Sequence, residues 1–221
     1  MTTTRVVRVA AFGCLAVMLV VLGAALRPLI FTEQAAPAEI LSDNEIGFVH
    51  DMVAHHQQAL FIAQRLNTNV DPAVSRLAQQ IDDSQRTEIG MMLGWLRLVN
   101  VTPGSRTPME WMHTASNSTD LAAHHGVVTS EATRGQASMP GMATMAELDS
   151  LTSATGVDAE VLFLQLMERH HRGGIVMAQA ADELLADGPV KQSARDMITT
   201  QSQESGLMAL MLAQRGAQPL G

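Results

Sequence analysis

The chain has few of the residue types that usually form a core or a reactive site. Its 221 residues include one cysteine, no tyrosine and only 3% aromatic side chains. The single Cys14 excludes an intrachain disulfide and a zinc site built from several thiolates. Charged residues are only 16% of the total, which excludes the highly charged, weakly hydrophobic class of disordered proteins. Without thiolate ligands, soft-metal chemistry would depend on the 15 methionines and 8 histidines.

Basic side chains are also scarce. The chain has 14 Lys and Arg against 22 Asp and Glu, a formal net charge of −8. Leaving out residues 1–38 removes three Arg and one Glu, so the remainder carries about −10. Binding to nucleic acid depends on clustered basic residues, so no nucleic-acid partner is expected. Cations are the natural small partners of such a surface.

One long hydrophobic run lies near the amino terminus. Val9–Leu26 contains 18 residues without a charge and follows Arg5 and Arg8. The run predicts either a single-pass membrane anchor or a secretory signal, for which residues 36–38 (Ala-Pro-Ala) offer a cleavage site. Positive charges before it favour an inside amino terminus, so the rest of the chain is predicted to be extracytoplasmic, either anchored in the cell membrane or secreted. The membrane is then a partner through residues 9–26.

The remainder, residues 39–221, contains an internal repeat. Phe48-x3-Met52-x2-His55-His56 reappears with the same spacing 115 residues later, and Gln85-x2-Glu88 reappears 116 residues later. The later copies are Phe163-x3-Met167-x2-His170-His171 and Gln201-x2-Glu204. Duplication divides the domain into repeat one (42–100), a Met- and His-rich connection (101–157) and repeat two (158–216).

Capping signals predict two helices in each repeat. Residues 42–45 (Ser-Asp-Asn-Glu) form a capping box, Asp71 precedes Pro72, Asp158 can cap the third helix, and residues 188–189 (Gly-Pro) separate the last two. The expected helices are 44–67, 72–100, 158–187 and 189–215. Because the links within each repeat are short, we expect an all-α fold, a four-helix bundle made of two antiparallel hairpins.

Polar residues interrupt each apolar seam near its middle. Heptad spacing places His55 opposite Glu88 and His170 opposite Glu204, each pair within its own hairpin. The neighbouring imidazoles fall about 100° further round each helix, at the edge of the seam. The predicted polar layer consists of His55, His56, Gln85, Glu88, His170, His171, Gln201 and Glu204. It has two interpretations: metal ligands, or hydrogen-bonded pairs that set the register of the helices.

The connection 101–157 holds a second group of candidate ligands. Met139, Met142 and Met145 are three residues apart, with a Pro-Gly turn between the first two. Thioether sulfurs with nearby imidazoles form a soft neutral ligand set that suits Cu(I). The alternative is that these methionines are flexible apolar filler at the end of the bundle. The imidazoles of the connection are His113, His124 and His125.

The ligand set of a di-metal carboxylate oxidase is missing. That site needs Glu-x-x-His pairs, whereas Met52 and Met167 stand three residues before His55 and His170. Nor does the sequence contain a nucleophile elbow or a phosphate loop. An enzyme is therefore not expected. A third interpretation is that the histidines sense acidity between about pH 5 and 7.

These motifs resemble the bacterial domain of unknown function 305 family, over about residues 42–216. The resemblance rests on the doubled His-His motif, both Gln-x2-Glu partners and the Met-Pro-Gly-Met stretch. Gly174 stands where the first repeat has Ala59, a change of one small residue for another. The resemblance implies an exported, ferritin-like four-helix bundle and, from some members, copper binding and copper resistance. The family motif covers His55, His56, Glu88, Met139, Met142, His170, His171 and Glu204.

Together, the residues and the resemblance predict an extracytoplasmic protein that binds copper, with Cu(I) favoured, for storage, buffering or handover. The alternative is a structural or interaction protein of the cell envelope that binds no metal, with an unidentified envelope partner. The predicted ligands are the eight motif residues and Met145. Secondary candidates are Asp51, Gln85, His113, His124, His125 and Gln201.

Overall fold

The structure, a computed structural model, describes residues 3–30, 39–104, 107–112 and 139–220. Over these residues every regular element is helical. The elements are α1 (Thr3–Ile30), α2 (Asp43–Arg65), α3 (Pro72–Leu98), a 3-10 turn (Glu110–Met112), α4 (Met145–Ser153), α5 (Gly156–Leu184) and α6 (Pro189–Gln214). The prediction of an all-α fold is confirmed for the residues that the structure describes.

The chain divides into two compact units, Met1–Glu39 and Ile40–Gly221. The first contains α1, which includes the uncharged run. Across the described residues, none of the helices combines the length and sustained hydropathy of a membrane span. The membrane anchor over residues 9–26 therefore stays a prediction.

Local capping explains where the helices of the second unit begin. Ser42 and Glu45 form the predicted capping box at α2, and Asp71 accepts a hydrogen bond from the Ala73 N–H at 2.6 Å at the start of α3. Asp158 is not the cap of α5, because that helix already begins at Gly156, whose φ of 56° glycine tolerates well. Asp158 instead lies in the first turn.

The connection between the repeats is more ordered than its composition suggests. The Thr144 side chain accepts a hydrogen bond from the Glu147 N–H at 3.2 Å, and the Glu147 carboxylate accepts one from the Thr144 N–H at 2.7 Å. This reciprocal capping box starts α4, and its Thr-x-x-Glu signal was available in the sequence. The box matters for the site because it ends the Met-Pro-Gly-Met stretch at a defined position.

Helices α2 and α3 form one hairpin and α5 and α6 the other, and the two hairpins contact each other mainly through α2 and α5. Two apolar clusters fill the interior. One contains Phe48 and Met52 of α2 with Met177 of α5, and the other contains Ile62 of α2 with Phe163 of α5. Four methionines of the long helices also fill the core, since all four are fully buried: Met52, Met167, Met197 and Met208.

Candidate metal centre

A polar layer lies between the two apolar clusters, at the middle of the four long helices. His55 of α2 and His170 of α5 meet across the contact between the hairpins, with ring centroids 3.8 Å apart and planes inclined by 31°. Both side chains are buried. The expected pairs His55–Glu88 and His170–Glu204 are therefore wrong. Each of these histidines faces the other hairpin and does not face the second helix of its own hairpin.

The carboxylates instead bind the adjacent imidazoles. The His56 Nε2–H donates to Glu88 across 2.5 Å, and the His171 Nε2–H donates to Glu204 across 2.7 Å. Each bond joins the two helices of one hairpin. These imidazoles, expected at the edge of the seam, are fully buried. In both repeats an imidazole does lie beside the expected glutamate, but it belongs to the second histidine of the His-His pair and not to the first.

The hydrogen bonds determine which ring nitrogen of the stacked histidines is protonated. His55 Nε2 lies 3.0 Å from the Pro140 carbonyl oxygen, and His170 Nε2 lies 2.9 Å from the His55 carbonyl oxygen. A carbonyl only accepts, so each Nε2 carries the proton and each neutral ring keeps an unprotonated Nδ1. All four buried Nδ1 atoms of the layer have no hydrogen-bond partner among the described residues.

Two glutamine side chains complete the polar layer. Gln85 and Gln201 are buried, and the Gln85 Oε1 and both amide atoms of Gln201 lack a partner in the described part of the chain. The Gln201 amide lies against Gly174, where a Cβ would overlap its oxygen and approach the His55 ring to 3.2 Å. Gly174 therefore provides space for a polar group in the core.

Burial keeps the stacked pair uncharged. It lowers the pKa of His55 to about 3, with a further lowering from nearby His56, while the hydrogen bond to Pro140 opposes the shift. Burial also holds the pKa of His170 well below its ordinary value, helped by repulsion from His55 and His171. Both rings are therefore neutral near pH 7, the form in which an imidazole nitrogen binds metals.

The Met-Pro-Gly-Met stretch lies directly beside this layer. Met139 and Met142 line an open cavity of about 520 Å³ with Arg169, Arg172 and Val176 of α5. Both methionines are partly buried, whereas Met145, the first residue of α4, is 64% exposed. Pro140, which lies between these two methionines in the sequence, contacts His55, so the structure brings the stretch that carries Met139 and Met142 to the polar layer.

Arg169 anchors the end of this stretch. Its guanidinium donates to both oxygens of Glu147, at 2.7 and 2.8 Å, and approaches the Met142 carbonyl oxygen at 3.4 Å. The Arg169 hydrogen bonds lower the pKa of the Glu147 carboxyl to about 2. Arg169 immediately precedes the second His-His pair, but the sequence contained no signal that it would reach Glu147.

Asp51 has a different role from the ligand role considered for it. Its carboxylate accepts hydrogen bonds from the Met109 N–H at 2.6 Å and the Trp111 Nε1–H at 2.9 Å. Burial raises its pKa despite these two bonds. Asp51 thus holds the segment 107–112 on α2, in agreement with its absence from the second repeat. The candidates His113, His124 and His125 lie outside the described residues.

Among the described residues, no three His, Cys, Asp or Glu side chains are grouped in a way that could hold a metal ion. The Nε2 hydrogen bonds of the four imidazoles are nevertheless of the kind that metal-bound histidines make with their second ring nitrogen. In such sites one ring nitrogen binds the metal while the other donates to a carboxylate or a backbone carbonyl. All four imidazoles here make that second interaction through Nε2 and leave Nδ1 unpaired.

Comparison with known proteins shows that the chain is similar to one protein family. The sequence model described as "Domain of unknown function (DUF305)" matches residues 45–212. The chain is 38% identical to a Streptomyces coelicolor DUF305 protein described as secreted, with a TM-score of 0.67, covering 80% of this chain and 96% of that one. A DUF305 fragment from Deinococcus radiodurans is 28% identical, with a TM-score of 0.60, covering 78% and 97%. None of the curated proteins matches significantly.

Proposed function

Since the chain belongs to the DUF305 family, whose description carries no activity, we propose a function from the candidate site: extracytoplasmic copper binding, with Cu(I) favoured. Storage, buffering or handover of the ion would all use such a site. The observation that carries the proposal is the set of four buried imidazoles whose Nδ1 atoms have no partner in the described part of the chain. Copper bound there would supply a soft Lewis acid for the Nδ1 lone pairs of the neutral His55 and His170.

The chemistry of the donors supports a soft cation of low charge. The stacked His55 and His170 are neutral, and the thioethers of Met139 and Met142, which flank the Pro140 that accepts the His55 hydrogen bond, are neutral as well. Hard divalent cations such as Mg²⁺ and Ca²⁺ require oxygen ligands. Thioether and imidazole ligands favour Cu(I). Because no three His, Cys, Asp or Glu side chains of the described residues are grouped to hold a metal, one ion would bind at most two imidazoles, and methionine sulfurs would complete its ligand set.

The location and the finer architecture are part of the same proposal. We infer that residues 39–221 are extracytoplasmic and that α2, α3, α5 and α6 form a ferritin-like four-helix bundle. The amino-terminal run over residues 9–26 would serve as a single-pass anchor or as a cleaved signal. The similar Streptomyces coelicolor protein, described as secreted, supports export.

One observation favours a second candidate function. The bonds His56–Glu88 and His171–Glu204 join the helices of each hairpin at 2.5 and 2.7 Å. Buried polar pairs of this kind can set helix register without any ligand. The alternative is therefore a structural or interaction protein of the cell envelope that binds no metal.

A competition measurement separates the two candidates. The full chain should take Cu(I) from a chromophoric chelator, and the double variant Met139→Leu/Met142→Leu should bind it about tenfold more weakly, because Leu keeps the volume and removes the sulfur. The matched control is Met91→Leu/Met197→Leu, which exchanges two methionines outside the proposed site and should leave the affinity unchanged. Affinity no higher than that of a free methionine peptide would rule out the copper function.

A further inference from the structure

The segment from Met139 to Ala143, called the Met turn below, is inserted between α2 and α5 and bound from both sides. From α2, Gln58 makes two hydrogen bonds to the backbone of Ala143: its amide donates to the carbonyl at 2.9 Å and its oxygen accepts from the N–H at 2.6 Å. His55 of the same helix donates to the Pro140 carbonyl. The Met turn is therefore held by specific polar contacts as well as by apolar packing.

Helix α5 has a surface shaped for the Met turn. A Cβ at Gly173 would overlap the Pro140 carbonyl group and come within 2.8 Å of the Gly141 nitrogen. Gly141 itself has φ of 76°, and a Cβ there would lie 3.1 Å from the backbone of both His170 and Gly173. Only glycine fits at these two positions, since backbone atoms cannot move aside as a side chain can.

The two repeats have diverged at this point in a complementary way. Gln58 and Gly173 occupy equivalent positions, 115 residues apart. In the first repeat this position provides the amide that binds the Met turn, and in the second it provides the space that the Met turn occupies. The difference between these equivalent positions therefore accommodates the Met turn from both helices.

The Met turn also determines which ring nitrogen of His55, a proposed ligand, carries the proton. The Pro140 carbonyl is the acceptor that retains the proton on His55 Nε2 and so leaves Nδ1 as the free lone pair. If the Met turn moves away, that constraint on the tautomer is lost. Conversely, a metal ion on Nδ1 withdraws electron density from the ring and makes Nε2–H a better hydrogen-bond donor to Pro140. By linkage the two effects are reciprocal.

We propose that the Met turn is a latch coupled to metal loading at His55: its docking presents Nδ1 for the ion, and the bound ion strengthens its docking. This inference rests on the proposed copper function and adds a regulation of the same site. Met139 and Met142 line the open cavity together with Pro140 and Gly141, so the Met turn itself forms part of the wall of that cavity. Release of the ion then requires the latch to open.

The test combines hydrogen exchange with Cu(I) affinity in the full chain. Exchange of the Ala143 amide, which donates to Gln58, reports directly on docking of the Met turn. Gly173→Ala places a Cβ against Pro140 while favouring the helix itself. Gly206→Ala in α6 is the matched control, because among the described residues no atom outside the backbone of α6 lies within 4 Å of a Cβ added there. Gln58→Ala weakens the latch from α2 without altering a proposed ligand.

We expect Gly173→Ala and Gln58→Ala to speed exchange over residues 139–144 and to weaken Cu(I) binding about 10- to 100-fold, the usual effect of losing a partner of a metal-bound histidine. Cu(I) should slow exchange of the same residues in the parent chain, and the control should behave as the parent.

If the parent binds Cu(I) but exchange does not slow, or the faster-exchanging variants keep full affinity, the latch is wrong and the copper function stands. If neither variant speeds exchange, the contacts do not hold the Met turn and the latch is likewise wrong. If the parent fails to bind Cu(I), both are overturned.

Discussion

Acidification of the metal-free protein to about pH 4.5 is expected to lower its free energy of unfolding by about 3 kcal/mol through His55 alone. Burial lowers the pKa of His55 to about 3 in the folded protein, whereas the unfolded chain has the ordinary value of 6.5. Between these two pH values the unfolded state binds a proton that the folded state does not. Stability is therefore complete above pH 6.5 and falls as the pH drops towards 3. His170 contributes in the same direction.

Urea unfolding between about pH 7 and 4.5 measures this loss, provided that a chelator keeps the protein metal-free. The variant His55→Gln retains a donor for the Pro140 carbonyl but has no group that titrates in this range. Its absolute stability will differ, so the relevant quantity is the slope of stability against pH, which should be shallower than in the parent. An unchanged slope would mean that His55 is not buried in the neutral form.

Removal of the Glu204 carboxylate is expected to lower the free energy of unfolding by about 3 kcal/mol, and removal of the Glu88 carboxylate by about 1 kcal/mol. Both bind an imidazole that is fully buried, but the Glu204 side chain is 5% exposed and Glu88 is 21% exposed. In Glu204→Ala the His171 Nε2–H loses its acceptor in a place that water does not readily reach. In Glu88→Ala water can replace the lost oxygen more easily.

The internal repeat makes this a matched comparison, since the same substitution is made at equivalent positions of the two hairpins. Glu204→Gln and Glu88→Gln are the controls, because an amide oxygen still accepts the imidazole N–H. Both should lose less than the alanine variants. Equal losses in the two alanine variants, measured by urea unfolding near pH 7, would contradict the assignment of the larger effect to burial.

Much of the fold was predictable because its signals are local. The capping box at Ser42 and the Asp71-Pro72 start depend on neighbours within three residues, and both appear as expected. The start of α5 was missed because Gly156 extends the helix beyond the apparent cap at Asp158. The capping box of Thr144 and Glu147 is equally local, so the sequence also contains the signal for the start of α4.

The candidate site was predictable in composition but not in pairing. Repetition of the His-His and Gln-x2-Glu motifs correctly indicated buried imidazoles next to carboxylates. Which imidazole meets which carboxylate depends on how far each helix is rotated, and one residue changes that rotation by about 100°. The packing of α2 against α5 turns His55 and His170 towards each other, so His56 and His171 meet the glutamates.

By itself, then, the sequence determined a helical, duplicated domain with a polar layer in its core, because composition, spacing and caps act over one or two helical turns. Only the tertiary structure decided the stacking of His55 on His170, the insertion of the Met turn and the free Nδ1 atoms. Those features depend on contacts between residues 85 to 115 positions apart in the chain. Such contacts form only when two hairpins pack in one particular rotation and register, which no local signal specifies.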